Sequence, residues 1–236
     1  MACGYTTHMS GLDYGIGIYT APEAARMIGM SASTLRRWLL GYEHDERFEP
    51  HLWQPQYDPA EEDGLLLGFR DLVEARIVQA LRAKRIGVPT IRTCIQRARE
   101  IIGDERPFST REFKTDGRTI FLEITQGLDE PRFIDLKRSQ GVFKRVVEPS
   151  LQDLEFGPTG AERWWLLPGK RSIVADPARS FGQPIIADHG MTTARAVQIV
   201  TAEGSIENAA RVYEIKPALL RDALSYEHRN TVRKAA

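Results

Sequence analysis

Cysteine is nearly absent from this chain of 236 residues. Cys3 and Cys94 alone cannot build a disulfide framework, and their scarcity fits a reducing compartment, so a cytoplasmic protein is expected. No C-x-x-C occurs, and His8, His44, His51, His189 and His228 are scattered with no pair at i, i+4. Such histidines serve as surface or capping residues, and no metal site is expected. No run of about eighteen apolar residues exists to cross a membrane. The opening MACGYTTHMSG lacks the basic region and apolar core of a signal peptide, and residues 1–17 read as a disordered lead-in.

Catalytic signatures are missing as well. There is no Gly-rich phosphate loop, no nucleophile elbow and no H-E-x-x-H. Gly15-Ile16-Gly17 lacks a third glycine and precedes no βαβ pattern, so it reads as a turn or linker. Acidic residues are plentiful, but no pair is singled out by spacing. The expectation is a protein that is not an enzyme, with no catalytic residues and no cofactor. A formal net charge of zero argues against strong non-specific nucleic-acid binding by the chain as a whole.

What is present begins with Thr20–Trp38, which reads as a complete helix-turn-helix. Thr20 and Glu23 have capping-box spacing, and Pro22 falls in a first turn where a missing N–H costs nothing. Ala25, Gly29 and Leu35 follow at intervals of four and six. The small Ala admits a crossing helix, Gly29 can take the left-handed backbone at the helix end, and Leu35 points into the core. Ser31 can cap the second helix. Ser33, Thr34, Arg36 and Arg37 then lie on or near its outer face, the hydroxyls and guanidinium forks that contact phosphates and guanine edges. The competing reading is a purely structural helical hairpin, but every position is filled as DNA binding requires.

The same stretch resembles the DNA-binding domain of MerR-like regulators, through Thr34-Leu35-Arg36-Arg37-Trp38. The resemblance continues after an insertion at Leu67, Phe69, Leu72, Ile77, Leu81 and Gly87-Val88-Pro89. It implies DNA-binding residues Ser31, Ser33, Thr34, Arg36, Arg37 and Trp38. Residues 43–63 depart from the pattern, with a longer, acidic, Pro-containing segment where that family has a short wing. They hold eight acids and one base, a net of −7, whereas residues 65–103 hold eight basic residues and three acids, a net of +5. A basic helical unit beside an acidic loop suits a phosphate-facing surface whose opposite face is turned away, or else a solvated amphipathic pair.

Farther along, Phe69–Leu81 and Ile91–Ile102 carry helical stripes broken at Gly87 and Pro89, an antiparallel hairpin ending at Gly103. Residues 18–105 thus form a four-helix unit. After Pro107 the pattern turns β-rich. An Asp116-Gly117 turn precedes a strand at Thr119–Ile124, and Arg132–Leu136 can pair back on it. Val142–Val147 suits a strand or a short helix equally. In a strand, Trp164 and Trp165 point to opposite faces, one to the core and one to an interface; a core pair in a bent segment is the alternative. Residues 106–175 are read as this β-rich middle. From residue 176 a helical domain follows, with Ser205 and Pro217 opening its last two helices. Ala210, Glu214 and Leu220 repeat the helix-turn-helix spacing, with Arg211, Arg221 and Asp222 facing outward, a mixed set that suits DNA or protein alike. The expected class is α+β: an N-terminal helix-turn-helix with a helical hairpin, a small β-rich middle, and a C-terminal three-helix bundle.

Asp176-Pro177, Phe181–Ile186, Gly204-Ser205, Ala209-Ala210, Tyr213 and Ala223-Leu224 resemble a small bacterial domain often found in antitoxins. Joined to a MerR-like unit, it resembles a VapB-type antitoxin subfamily. That resemblance implies a cognate PIN-domain ribonuclease toxin as partner, with operator double-stranded DNA as the second ligand. An Arg among such a nuclease's carboxylates would exclude RNA, so Arg163, Trp164, Trp165, Arg171 and Arg179 are the candidate toxin-binding residues. Because one recognition helix reads only about half a turn of DNA, a symmetric homodimer is expected. The alternative class is a MerR-like ligand-sensing regulator with a preformed pocket in residues 108–236.

Overall fold

The computed structural model describes residues 17–59, 64–125 and 143–235. The lead-in apart from Gly17, the turn at Gly15-Ile16, Cys3, His8, the acids Glu61, Glu62 and Asp63, the strand expected at Arg132–Leu136, and Val142 lie outside the described residues.

The first two helices form as their local chemistry dictates. Helix α1 (Ala21–Ile28) starts at a closed capping box: the Thr20 amide donates to Glu23 Oε2 at 2.9 Å, and the Glu23 amide donates to Thr20 Oγ1 at 3.4 Å. It ends at Gly29, with φ +83°. Helix α2 (Ala32–Leu40) starts at Ser31, whose hydroxyl accepts from the Thr34 amide at 3.1 Å. The preceding strand β1 (Tyr19–Thr20) pairs antiparallel with β4 (Leu66–Leu67), and between them lies a hairpin of β2 (Tyr42–His44) and β3 (Arg47–Glu49). Helices α3 (Phe69–Ala83) and α4 (Val88–Ile102) make the expected hairpin.

Two carboxylates on α3 are buried. Asp71 is fully enclosed and accepts from the Trp53 indole (3.1 Å), the amides of Gln56 (2.8 Å) and Gly68 (2.9 Å), and the Arg106 guanidinium (2.7 Å). One turn on, Glu74 is equally enclosed and accepts from the Ser109 amide at 2.8 Å, while its second oxygen has no hydrogen-bond partner among the described residues.

The β expectation after Pro107 is corrected at its first strand. Residues Arg111–Thr125 form helix α5, running straight through Asp116-Gly117. Phe113, Gly117, Ile120, Phe121 and Ile124 are buried, a spacing of one helical face, and the Thr110 hydroxyl caps the start by accepting from the Phe113 amide at 3.1 Å. Burial along that stripe outweighs the β-propensity of Thr119, Ile120 and Ile124, which depends on context far more than helix propensity does. The segment left open between strand and helix is helical: a π-turn at Phe143–Val147 runs into α6 (Glu148–Leu151).

The sheet itself lies later. Strands β5 (Leu154–Gly157), β6 (Gly160–Trp165), β7 (Ile173–Ala175) and β8 (Pro184–Ile186) are antiparallel in that order, so the sheet continues past residue 175. Leu154, Ala161, Trp164 and Ala175 join the core built by α1–α5. Leu167, Ile173 and Ile186 join a second core with Ala196, Ile199, Ala209, Leu220 and Ala223. Those last residues belong to α7 (Thr193–Glu203), α8 (Ile206–Val212) and α9 (Pro217–Ala235), the expected C-terminal bundle. Glu214 takes the left-handed backbone (φ +54°) where the first helix-turn-helix has Gly29. Asp222, expected to face outward, instead accepts from Ser172 Oγ at 2.7 Å and pairs with Lys170, tying α9 to the β6–β7 loop. At the opposite side of the sheet, the Ile18 amide donates to the Phe181 carbonyl (3.0 Å) and the Tyr19 hydroxyl to the Gly182 carbonyl (2.9 Å). A Cβ at Gly182 would collide with that hydroxyl.

Burial pushes the Glu74 carboxyl up to about 8 from an ordinary value of 4.5, against the smaller lowering effect of the Ser109 amide. Between those values the folded chain keeps a proton that the unfolded chain releases, so this group makes stability fall as pH rises from about 5 to 8. Glu74→Gln, which mimics the neutral form, is expected to melt close to wild type near pH 5 and clearly above it at pH 8. A melting-temperature difference that does not change between those pH values would contradict this.

Candidate nucleic-acid interface

Helix α2 divides its side chains by period. Leu35, Trp38 and Leu39 face inward, while Ser31, Ser33, Arg36 and Arg37 are exposed and Thr34 is half-buried. Trp38, expected among the DNA contacts, is only 4% exposed and belongs to the core; the turn that carries Arg36 and Arg37 outward carries Leu35 and Trp38 inward. The hydroxyls are partly committed. Ser31 Oγ donates to Thr34 Oγ1 at 2.8 Å and lies 3.1 Å from Ser33 Oγ, so Ser31 and Thr34 work mainly as the cap. Arg36 makes no hydrogen bond or ion pair among the described residues, whereas the Arg37 guanidinium lies 4.0 Å over the Tyr42 ring. Ser33, Arg36 and Arg37 therefore form the polar face that can reach a duplex.

Tyr42 opens a wing that the expectation of a replaced segment did not include. Strands β2 and β3 are joined by a two-residue turn, Asp45-Glu46, with both residues at positive φ (+47° and +60°). The extra length comes after this hairpin, where Leu52 and Trp53 fold into the core. Two contacts fix the wing's root. Gly41 (φ +74°) lies so close to the returning strand that a Cβ would sit 2.5 Å from the Glu49 carbonyl oxygen and 2.6 Å from the Phe48 ring. From α4, Arg92 donates to Glu49 Oε2 at 3.2 Å and to the Pro50 carbonyl at 2.7 Å. The wing's acids thus lie on the hairpin that follows α2, with Glu43 on the strand face opposite Tyr42 and Asp45-Glu46 at the turn. Phe48, on the returning strand, is 64% exposed.

The basic excess of residues 65–103 is largely spent inside the molecule. Arg70 pairs with Asp104 (2.7 Å) and also donates to Ser109 Oγ. Arg76 stacks 4.6 Å over the Trp164 ring, and burial lowers it to about 10. Arg92 holds the wing, Arg97 donates to the Ile124 carbonyl, and Arg99 donates to the Glu105 carbonyl. Arg82, Lys84 and Arg85, at the turn between α3 and α4, are exposed, and Arg82 donates to the Ile86 carbonyl at 2.6 Å.

The residues expected at a protein interface gather on the sheet. Arg163, Trp165 and Arg171 converge on Glu155. Trp165 Nε1 donates to its Oε1 (2.8 Å), Arg171 Nη1 donates to the same oxygen (2.6 Å), and Arg163 Nη1 donates to Oε2 (3.4 Å). Arg171 also lies 4.7 Å over the Trp165 ring. Asp176, accepting from Arg163 Nε at 3.0 Å, holds that guanidinium charged above its ordinary range. Trp164 is buried and Trp165 half-buried, in agreement with a strand that sends alternate rings to opposite faces. Arg179 is anchored separately, on the Ala187 carbonyl at 2.9 Å. Glu155, Arg92 and Tyr42, which position these groups, carry no signal in the sequence pattern.

Residues 17–95 match the family model described as "Putative DNA-binding HTH domain". The N-terminal unit is a helix-turn-helix similar to that domain. Over 227 residues the chain is 26% identical to "Putative antitoxin VapB45" of Mycobacterium tuberculosis strain H37Rv, spanning 90% of this chain and 95% of that protein. It also superposes on the "X-ray crystal structure of Rv2018 from Mycobacterium tuberculosis" with a TM-score of 0.67 at 25% identity, covering 87% of this chain and 96% of that one. The similarity to a VapB-named antitoxin therefore extends far beyond the helix-turn-helix. Among the described residues no helix is long and apolar enough to cross a membrane.

Gly41 is expected to be the least replaceable wing residue. Gly41→Ala combines a left-handed backbone with a clash against the returning strand, and should cost about 1–3 kcal/mol. Chemical denaturation checks this; an unchanged midpoint would show that the wing root is looser than described.

Proposed function

We propose that this protein is the antitoxin of a toxin–antitoxin pair: it binds operator DNA to repress its own operon and neutralises a PIN-domain ribonuclease. What carries the DNA half is the capped helix α2, with Arg36 and Arg37 exposed side by side inside a DNA-binding helix-turn-helix. Consecutive helical residues are turned about 100° apart, so one guanidinium can reach a base edge while the other reaches a phosphate. Arg37, held over Tyr42, suits the phosphate; Arg36 suits the base. A single α2 reads about half a turn, so the operator is a palindrome bound by a homodimer.

The toxin half rests on the similarity to a VapB-named antitoxin and on the surface beyond Pro107. Arg163 and Arg171, held around Glu155 beside the half-buried Trp165, offer an aromatic and guanidinium set of the kind that anchors protein interfaces. A nuclease site rich in carboxylates would attract those cations, with Arg179 as a further contact. The competing reading, a ligand-sensing regulator, draws on a cavity of about 450 Å³ lined by Gln56, Phe69, Arg70, Arg163 and Asp176. Its guanidiniums are already engaged by Asp104 and Asp176, which leaves little charge to bind a small ligand. The antitoxin reading is preferred.

Two variants of the full chain separate the functions. Arg36→Ala with Arg37→Ala is expected to cost at least about 1–3 kcal/mol of affinity for the chain's own promoter, measured by fluorescence anisotropy, without weakening the toxin complex. Arg163→Glu with Arg171→Glu should do the reverse, loosening the complex with the neighbouring gene's product tenfold or more in calorimetry while DNA binding stays unchanged. Wild-type promoter affinity in the first pair, or wild-type complex in the second, would refute the corresponding assignment.

A further inference from the structure

The wing follows α2 directly and meets Arg37 through Tyr42, yet its charge has the wrong sign to hold phosphates. From Ser31 to Glu49, recognition helix and wing together carry Arg36, Arg37 and Arg47 against Glu43, Asp45, Glu46 and Glu49, a net of −1. Glu49 is held by Arg92, but Glu43, Asp45 and Glu46 are exposed. Among the described residues their one ion-pair contact is His44 Nε2 at 3.6 Å from Asp45, which counts only when that imidazole is protonated. The wing cannot readily swing these groups away. Its root is fixed by the close approach at Gly41 and by Arg92, and the stack of Arg37 over Tyr42 sets it on the exposed side of α2. At about 3.3 Å per strand residue, Glu43, Asp45 and Glu46 lie within roughly 4–15 Å of Tyr42. That is on the order of one or two Debye lengths, about 8 Å at physiological salt. A phosphate gripped by Arg37 would therefore feel the field of three exposed carboxylates, Asp45 and Glu46 at the turn and Glu43 on the strand face opposite Tyr42.

We propose that the β2–β3 wing is an electrostatic filter, whose Glu43, Asp45 and Glu46 lower affinity for DNA of every sequence. Binding at cellular salt then depends on the base contacts of α2 and on pairing of two copies, and bulk DNA does not sequester the protein. The effect is sequence-independent because repulsion between carboxylates and phosphates carries no base information. The proposal rests on the reading that α2 contacts DNA, and its test separates the two.

The experiment compares the full chain with E43Q/D45N/E46Q, on a duplex of its own promoter and on a scrambled duplex of equal length and composition. Anisotropy titrations run from about 50 to 500 mM NaCl. A second variant, E112Q/D116N/E123Q, removes the same charge from exposed positions on α5 and controls for net charge. Each carboxylate acts on several phosphates through water, so the wing variant should bind both duplexes about tenfold more tightly near 100 mM salt. The gain should grow at lower salt, vanish near 500 mM, and exceed that of the α5 variant severalfold. A wing variant that binds like wild type, binds more weakly, or gains no more than the α5 variant overturns the filter. The promoter-to-scrambled ratio of the wild type reports the underlying reading: no preference and no binding at 50 mM salt would overturn both.

Discussion

The Asp71 carboxylate is the point on which the N-terminal unit hangs. An unpaired charge in that position would be prohibitively costly, but four donors surround it, one of them the Arg106 guanidinium. Those donors come from three separated stretches: the segment returning from the wing, the start of α3, and the lead into α5. One buried anion therefore sets where the wing leaves the body and where α5 begins. Removing it would strand Arg106 and the Trp53 indole, a loss on the order of 3–5 kcal/mol by the general cost of breaking a buried pair. Glu74, one turn away, is the weaker companion, satisfied at a single oxygen and held neutral by its burial.

The sheet performs the second act of assembly. The same face of the sheet serves both helical units: Leu154, Trp164 and Ala175 close the core of the helix-turn-helix unit, and Ile173 and Ile186 on that face close the core of the C-terminal bundle. The chain thus has one continuous body in which neither helical unit is complete without β5–β8. Cutting at Gly103 would strip Phe113, Ile120, Phe121, Leu154 and Trp164 from the first core, which is why the division of labour between DNA and protein partners has to be tested with point variants. Contact between Tyr19 and Gly182 joins β1, at the entrance of the helix-turn-helix, to the turn before β8.

Legibility in the sequence follows the range of the interaction. The caps of α1 and α2, the left-handed Gly29 and the breaks at Gly87 and Gly103 are local, and each forms as its residues imply. So do the three C-terminal helices, down to Glu214 in the place of a glycine. Helix α5 is not legible locally: Asp116-Gly117 and the β-branched run after it describe a strand, whereas the burial of Phe113, Gly117 and Ile124 on one stripe is decided by distant packing. The uses of the arginines were not legible at all: Arg70, Arg76, Arg92, Arg97 and Arg99 look like a phosphate-binding stripe until their partners Asp104, Trp164, Glu49, Ile124 and Glu105 are placed. Trp38 is buried in the core for the same reason that Arg36 and Arg37 are exposed, since helical period separates them. The cluster around Glu155 needs strand pairing between β5 and β6, which no spacing in the sequence reveals.

The claim that joins these observations is that one body holds DNA through α2 and a protein partner through the sheet side. The most direct measurement is the mass in solution of the full chain co-expressed with the product of the neighbouring gene, before and after a duplex of the shared promoter is added. The account predicts a stable complex of the two proteins that takes up the duplex as a single larger species. Two proteins that elute separately, or a complex that leaves the duplex unbound at low salt, would contradict it.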